Sequence, residues 1–379
     1  MKLKTVVKLC TIISVALFCI AVGFYALMQL DMADRNRDVN LYTFLPEDCP
    51  VVFESDNINE FLNDKSQLSY AFHLDKAVVS GLFDFILNGL NEYATTNAHG
   101  LSYQMNRVLV GYDQSCNPLN QIIIFRTGVS DDGILEDMLQ EYTSYSFHPK
   151  EEFYRGKRIV IYPLGTDEYI AAYAELGFLV ISYHKKLLEK AIDAKLDGQS
   201  LYDNLAFRKM LEHRKSHTHF SLFAKSSIFP FLNVSDDCWS DFDFHTSSDV
   251  LYLTGHTYMP DSCNNQLVLS DFADNFTLAE EDSLFITMEK DSIQNYILRV
   301  DEKDNRSLFE QSIVNLSKDA SFTIVADMKL VADTPNAFIS YFPAVMLDNI
   351  EFFRPFIFSS QYMLKEEGLS HIWIFTYKD

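Results

Sequence analysis

Apolar positions along this chain form three kinds of run: one long unbroken stretch, several stretches at helical spacing, and many short stretches closed by turn residues. The long one comes first. Leu9 to Leu30 is 22 residues without a charge, about 33 Å as a helix and enough to cross a hydrocarbon core of about 30 Å. Helical spacing recurs at Val79, Leu82, Phe83, Ile86 and Leu90, and at Ile134, Met138 and Leu139 within 132–143. It returns at Leu201, Leu205, Met210 and Leu211 within a helix predicted over 200–214, and at Leu308, Ile313 and Leu316 within 305–317.

Strand-like runs outnumber these. Val108–Tyr112 and Ile122–Arg126 form one expected pair. Glu152–Tyr154 and Lys157–Tyr162 flank Arg155-Gly156, a two-residue hairpin signal, and Glu168–Ala174 with Gly177–Ser182 make a second hairpin. Trp239–His245 and Val250–Tyr258 surround a Thr-Ser-Ser-Asp turn, and Ser321–Ala326, Phe338–Phe342, Pro355–Met363 and Leu369–Tyr377 close the chain. In the last run Trp373, Phe375 and Tyr377 face one way and Ile372, Ile374 and Thr376 the other, which implies cover on both faces. Hairpins between isolated helices predict α+β, with antiparallel sheets and β-hairpins packed with helices, and exclude a doubly wound parallel sheet. The length beyond Phe44 exceeds one typical core, so two lobes are expected, preceded by one N-terminal transmembrane helix. The divisions are 1–30 anchor, 31–43 polar linker, 44–235 first lobe and 236–379 second lobe.

A local unit also recurs: strand, capping residue, then an i, i+3, i+4 apolar face. It appears as Val51–Phe53/Asp56/Ile58-Phe61-Leu62, as Phe220–Phe223/Ser226/Ile228-Phe231-Leu232 and as Leu284–Ile286/Asp291/Ile293-Tyr296-Ile297. A looser copy is Leu179–Ile181 with Leu188, Ala191 and Ile192. Pro230 limits the second copy to a short turn. Strand–cap–helix is common, so the unit is compatible with duplication or convergence.

Charge gives the long apolar stretch a direction. Lys2, Lys4 and Lys8 precede it, and Asp31, Asp34, Arg35, Arg37 and Asp38 follow. The positive-inside bias puts the N-terminus in the cytoplasm and the C-terminal domain outside, periplasmic or extracellular. Ala21-Val22-Gly23 resembles a signal-peptidase site, but Phe24–Met28 continue the apolar run, which favours an uncleaved anchor. Bulky Phe18 disfavours a lipid anchor at Cys19. The whole chain carries 31 Lys+Arg against 53 Asp+Glu for a net charge of −22; the part beyond the anchor, without the three leading lysines, stands at −25. Such a surface repels phosphates, so no nucleic acid is expected as a partner, nor close contact with anionic headgroups. The expected partners are the membrane, through the N-terminal helix, and a protein or envelope ligand.

Residues 177–210, GFLVISYHKKLLEKAIDAKLDGQSLYDNLAFRKM, run from a strand into a helix ending Ala-Ile-Asp, then Gly, Ser-Leu and Asn-x-x-Phe. This pattern resembles an uncharacterised family of bacterial membrane-anchored extracytoplasmic proteins, a domain of unknown function, over roughly residues 44–235. The resemblance implies location and an α+β fold. It brings no functional residues.

Candidate chemistry is sparse. His213, His217 and His219 have a spacing that could hold a metal, but Arg214 and Lys215 intervene, and a solvated helix end explains them better. Ser182-Tyr183-His184-Lys185 matches S-x-x-K and Ser55-Asp56-Asn57 matches S-D-N, as in penicillin-interacting serine enzymes, but their order is reversed and no K-T-G exists. Asp236, Asp237, Asp241 and Asp243 suit a hard cation such as calcium, without EF-hand spacing. Cys49, Cys116, Cys238 and Cys263 allow three pairings in an oxidising compartment, with Cys238–Cys263 the most plausible because they flank a hairpin. Asn233, Asn275, Asn305 and Asn315 head glycosylation sequons that matter only on a eukaryotic secretory route. There is no H-E-x-x-H, G-x-S-x-G, phosphate loop or dinucleotide fingerprint. No catalytic, cofactor or metal residue is therefore assigned. The expected function is a non-enzymatic binding or scaffold module of the cell envelope. A cell-envelope hydrolase or transferase with a dispersed site, and a lipid or small-molecule carrier, are the alternatives.

Overall fold

The computed structural model describes residues 18–26, 40–58, 68–71, 107–113, 120–128, 133–142, 148–164, 169–175, 177–214, 218–230, 238–258, 285–290, 296–301, 320–365 and 368–378, with isolated positions between. The strands are β1 (Val51–Ser55), β2 (Val108–Tyr112), β3 (Gln121–Arg126), β4 (Lys150–Tyr154), β5 (Lys157–Pro163), β6 (Tyr169–Glu175), β7 (Phe178–Ser182), β8 (Phe220–Lys225), β9 (Trp239–Thr246), β10 (Val250–Tyr258), β11 (Phe285–Lys290), β12 (Tyr296–Asp301), β13 (Phe322–Asp327), β14 (Phe356–Lys365) and β15 (Gly368–Tyr377). All 15 belong to one sheet, in the order β11-β12-β13-β14-β15-β10-β9-β8-β1-β2-β3-β7-β6-β5-β4. Every pair is antiparallel except β12–β13. The mixed α+β class with a large antiparallel sheet therefore holds.

The sheet passes without a break across the expected division at 235/236. β8 pairs with β9, with Ser221 opposite Asp243 and Phe223 opposite Asp241. The structured part also begins earlier than Phe44. Asn40 accepts the Tyr42 amide and caps a 3-10 turn, Leu41–Phe44, whose Leu41, Tyr42 and Phe44 are buried. Leu41 and Tyr42, expected as linker, are thus buried.

Alternation along the strands sorts apolar residues onto two faces. One face carries Val52, Leu109, Ile122, Ile124, Val180 and Phe223, and packs against the 3-10 turn, α2 (Lys185–Asp197) and α3 (Leu205–His213). The other carries Val110, Ile123, Phe125, Phe242, Phe358, Trp373 and Phe375. It packs against α1 (Ile134–Tyr142) and, beside β13 and β14, α4 (Met328–Asp333), α5 (Ala344–Asp348) and α6 (Ile350–Phe353). Trp373 and Phe375 are buried in this aromatic layer, while Ile372 and Ile374 on the reverse face are half-buried.

α2 shows how sequence makes an element here. Leu188, Ala191, Ile192 and Ala194 form its buried stripe, and Gly198 at φ 66° ends it with a left-handed cap. Arg155 and Gly156, both at positive φ, make the β4–β5 hairpin. Arg155 then ties that hairpin to α2 through Asp193 at 2.8 Å and both carboxylate oxygens of Asp197.

Three expected elements differ. The helix over 200–214 is split. Ser200 and Asp203 form a capping box around a single 3-10 turn, and Asn204 then caps α3 by accepting the Phe207 amide. Phe338–Phe342 is not a strand: it spans the end of a 3-10 turn, Pro335–Phe338, and the turn after it. Phe338, Tyr341 and Phe342 are buried at i, i+3, i+4 while Ile339 between them is exposed. Tyr296 and Ile297, expected on a helix, begin β12, so the third copy of the strand–cap–helix unit is half of a β-hairpin with β11. Of the helix expected around Val79–Leu90, Ile86 and Gly89 are described, both helical, with Ile86 buried; the rest of it, most of that over 305–317, and Phe61 and Leu62 of the first copy lie outside the described residues.

Candidate functional site

Strands β1, β8 and β9 place Glu54, Ser221 and Asp243 side by side on the face that α3 covers. Arg214, the residue that ends α3, lies over them. Its side chain is 5% exposed and that of Asp243 1%. One guanidinium nitrogen donates to Asp243 at 2.5 Å and to the Ser221 hydroxyl; the other reaches Glu54 at 3.4 Å. Ser221 and Thr218 donate to the same Asp243 oxygen. Arg107 holds the second Glu54 oxygen at 3.1 Å. Phe223 lies beneath the guanidinium at 5.1 Å. Burial pulls Arg214 down, but Asp243 and Glu54 more than reverse it, so the guanidinium stays charged. Burial and Glu54 push the Tyr42 hydroxyl far up. Each charge is met by its opposite, which is the chemistry of a strut. No side chain in the group is set apart as a base or nucleophile.

A second polar group adjoins it where β9, β10 and β15 meet. The β9–β10 ladder pairs Thr254 with Asp243 and Thr257 with Ser240 but is interrupted between them. There the Asp241 carboxylate accepts the His256 amide at 2.6 Å. His371, opposite Gly255 on β15, passes over that glycine. It donates from Nε2 to the Asp241 carbonyl at 2.9 Å, with the Phe242 ring 4.2 Å away. Its Nδ1 is then a bare acceptor, buried and without a partner among the described residues. Burial holds the imidazole down at about 3, partly offset by that carbonyl, so it is neutral at ordinary pH. Burial also raises the Asp241 carboxyl to about 6, against the His256 amide, which lowers it; Asp243 raises it and Arg214 lowers it.

A carboxyl raised on folding stabilises the fold below its unfolded pKa, and that contribution is lost as pH rises through the folded value. For Asp241 the window runs from about pH 4 to about pH 6. Asp241→Asn keeps an acceptor for His256 and removes the buried charge. It is expected to raise stability at pH 7 by about 1–3 kcal/mol, and the difference from wild type should shrink toward zero at pH 4. Urea midpoints measured across that range test this; a constant difference would contradict it.

The structure scatters the other sequence candidates. His213 Nδ1 lies 2.7 Å from the Lys209 carbonyl and His219 pairs with Asp56 at 2.8 Å, while His217 lies outside the described residues. Ser182 is fully buried; it donates to the Gln121 carbonyl and accepts the His184 amide. Lys185 is bound by Glu152 and Glu189. Ser55 accepts the Asn57 amide on β1, three strands from Ser182 in the sheet order. The two penicillin-type motifs therefore never meet. Asp241 and Asp243 are consumed as described, and Asp236 and Asp237 lie outside the described residues, as do the asparagines of all four sequons. Among the described residues no group of three or more His, Cys, Asp or Glu could hold a metal. Cys49 is a buried free thiol whose burial pushes it up, away from reactivity. Cys238 is buried, and Cys116 and Cys263 lie outside the described residues.

No family model matches the chain, and no curated protein matches it. Among solved structures it is similar to crystal form I of TP0453 at 9% identity and TM-score 0.31, covering 65% of this chain and 90% of that one. Crystal form III of TP0453 gives 8% identity and TM-score 0.32, covering 67% and 90%. A likeness at that level fixes neither the fold nor the function of this chain.

Proposed function

We propose that this is a membrane-tethered protein of the cell envelope whose folded part lies outside the cytoplasm. On this reading it acts as a non-enzymatic binding or scaffold module, and the resemblance over residues 44–235 supports its location alone. The observation that carries the reading is the apolar stretch before the fold. Of the expected span, residues 18–26 are described. They are helical and exposed throughout, with Phe18, Ile20, Val22, Phe24 and Tyr25 uncovered. A run of large apolar side chains that the fold does not cover favours lipid as its environment. Among the described residues no helix is long and apolar enough to cross a membrane; the rest of the expected span lies outside them. The Arg214 group supports a non-enzymatic reading, because its charges are matched in pairs.

Alkaline phosphatase fused after Phe44 should be active, and the full chain should stay with membranes at alkaline pH. An inactive fusion reverses the topology, and release into the soluble fraction removes the tether. Crosslinking in native membranes should then capture envelope proteins or glycans.

A further inference from the structure

We propose that the face of β10 and β15 carrying Tyr252 and Ile374 is a docking site for one basic amphipathic helix of a partner protein. This rests on the reading of the protein as a binding module, not on its location. The sheet repeats its own path. β1-β2-β3-β7-β6-β5 and β8-β9-β10-β15-β14-β13 each run three strands in chain order and then three in reverse. Every pair along both paths is antiparallel. The paths meet antiparallel at β1 and β8, so a pseudo-twofold axis normal to the sheet relates them and keeps each face on its own side. β10 and β15 therefore stand where β3 and β7 stand in the first path.

Their cover differs. Over β3 and β7, α2 lays Leu188, Ala191 and Ile192 against Ile122, Ile124 and Val180, and all six are buried. Over β10 and β15, Tyr252 lies opposite Ile374 and Thr254 opposite Ile372. These four and Thr376 are only half-buried, and Tyr252, Ile372 and Ile374 pack into neither apolar core. Cover resumes on both sides. α3 packs on β9, and on β14 Ile357, Ser359 and Gln361 are buried, with Gln361 accepting the Ser317 amide at 2.6 Å. From β9 to β14 is three strand spacings, about 14 Å, room for one helix about 10 Å across. The strip sets the chemistry of that helix. β10 and residues 370–376 of β15 contain no Lys, Arg, Asp or Glu, so the floor suits an apolar stripe at i, i+3, i+4 and i+7. The chain beyond the anchor stands at −25, which favours Lys and Arg on the polar face of the helix. α2 itself is of this type, with Lys185, Lys186, Lys190 and Lys195 beside its buried stripe.

The test appends a second copy of residues 184–198 to the C-terminus of the full chain, in mild detergent, through about ten Gly and Ser residues. Alkylation of Ile374→Cys and of Tyr252→Cys by N-ethylmaleimide, followed by mass spectrometry, should then slow at least about tenfold. At the roughly millimolar local concentration such a linker gives, that corresponds to a Kd of about 0.1 mM. Lys329→Cys, exposed on α4 over the opposite face, should keep its rate. Leu188→Glu with Ile192→Glu in the appended copy should remove the protection. No protection, or protection that survives the two glutamates, overturns the proposal. In native membranes a photo-crosslinker placed at Ile374 should join a peptide with apolar residues at helical spacing among Lys and Arg. A crosslink there to a second copy of this chain, to lipid or to an extended segment, or no crosslink, also overturns it. Partners captured only through other surfaces would leave the binding module standing while removing this site, so the two readings fail separately.

Discussion

Gly255→Ala is expected to cost the fold more than about 4 kcal/mol, beyond the usual range for a single substitution. A Cβ at this position of β10 would lie 1.8 Å from the Asp241 carbonyl oxygen, 2.7 Å from its carbon and 2.7 Å from His371 Nε2. The first two are backbone atoms of β9. They cannot swing aside as a side chain can, so β9 and β10 would have to separate. The glycine is required by close approach: His371 reaches from β15 across β10 to a carbonyl on β9, and only a residue without a side chain leaves the corridor open. The decisive control is Gly255→Ala with His371→Ala. Removing the imidazole relieves the third contact and leaves the two on β9, so the double variant should remain nearly as unstable as the single one. Trp239 and Trp373, both buried, report unfolding in urea. A midpoint for Gly255→Ala within about 1 kcal/mol of wild type would mean that the corridor is not there.

How far the sequence reveals this fold depends on whether a local pattern has one structural solution. Arg155-Gly156 between two alternating runs has one, a tight hairpin, and it is found. Leu188, Ala191 and Ile192 ahead of Gly198 also have one, an amphipathic helix with a left-handed stop. Phe338–Phe342 has two, since its buried positions fit helical spacing as well as a short apolar strand, and Pro335 at the start of the 3-10 turn was the signal for the first. Tyr296 and Ile297 satisfy a helix stripe within a short window, but pairing with β11 and β13 makes them a strand. The polar groups were less legible still. Asp241 and Asp243 stand in a run of acids that reads as solvated surface or a cation site. Their burial depends on Arg214 and His371, which are distant in sequence, and no local pattern announces it. The readable hint was Gly255, a lone glycine inside the strand run Leu251–Tyr258, which marks close approach of another chain segment.

Arg214→Met should be the other costly change, by about 3–5 kcal/mol, because it leaves charges buried without their partner. Methionine fills much of the same volume over Phe223, so lost packing contributes little. What remains is Asp243, 1% exposed, on the same face of the sheet as Glu54, with Ser221 and Thr218 donating to it. Arg214→Lys should recover only part of the loss. A single ammonium cannot span Asp243 and Glu54, as the forked guanidinium does. Asp243→Asn placed on Arg214→Met removes the stranded charge while its carbonyl oxygen can still accept from Ser221 and Thr218. The double variant should therefore be more stable than Arg214→Met alone, and the four corners of this cycle should show a coupling of about 1–3 kcal/mol. Position makes the group matter beyond its own bonds. Glu54 is on β1, Ser221 on β8 and Asp243 on β9, so Arg214 clamps the junction where the sheet crosses from the first half of the chain to the second. Tyr42 brings the 3-10 turn Leu41–Phe44 into the same group. If urea midpoints for Arg214→Met match wild type, the junction is held by strand pairing and apolar packing alone. If they fall as expected, the turn at Leu41–Phe44 and both halves of the sheet share one ionic fastening.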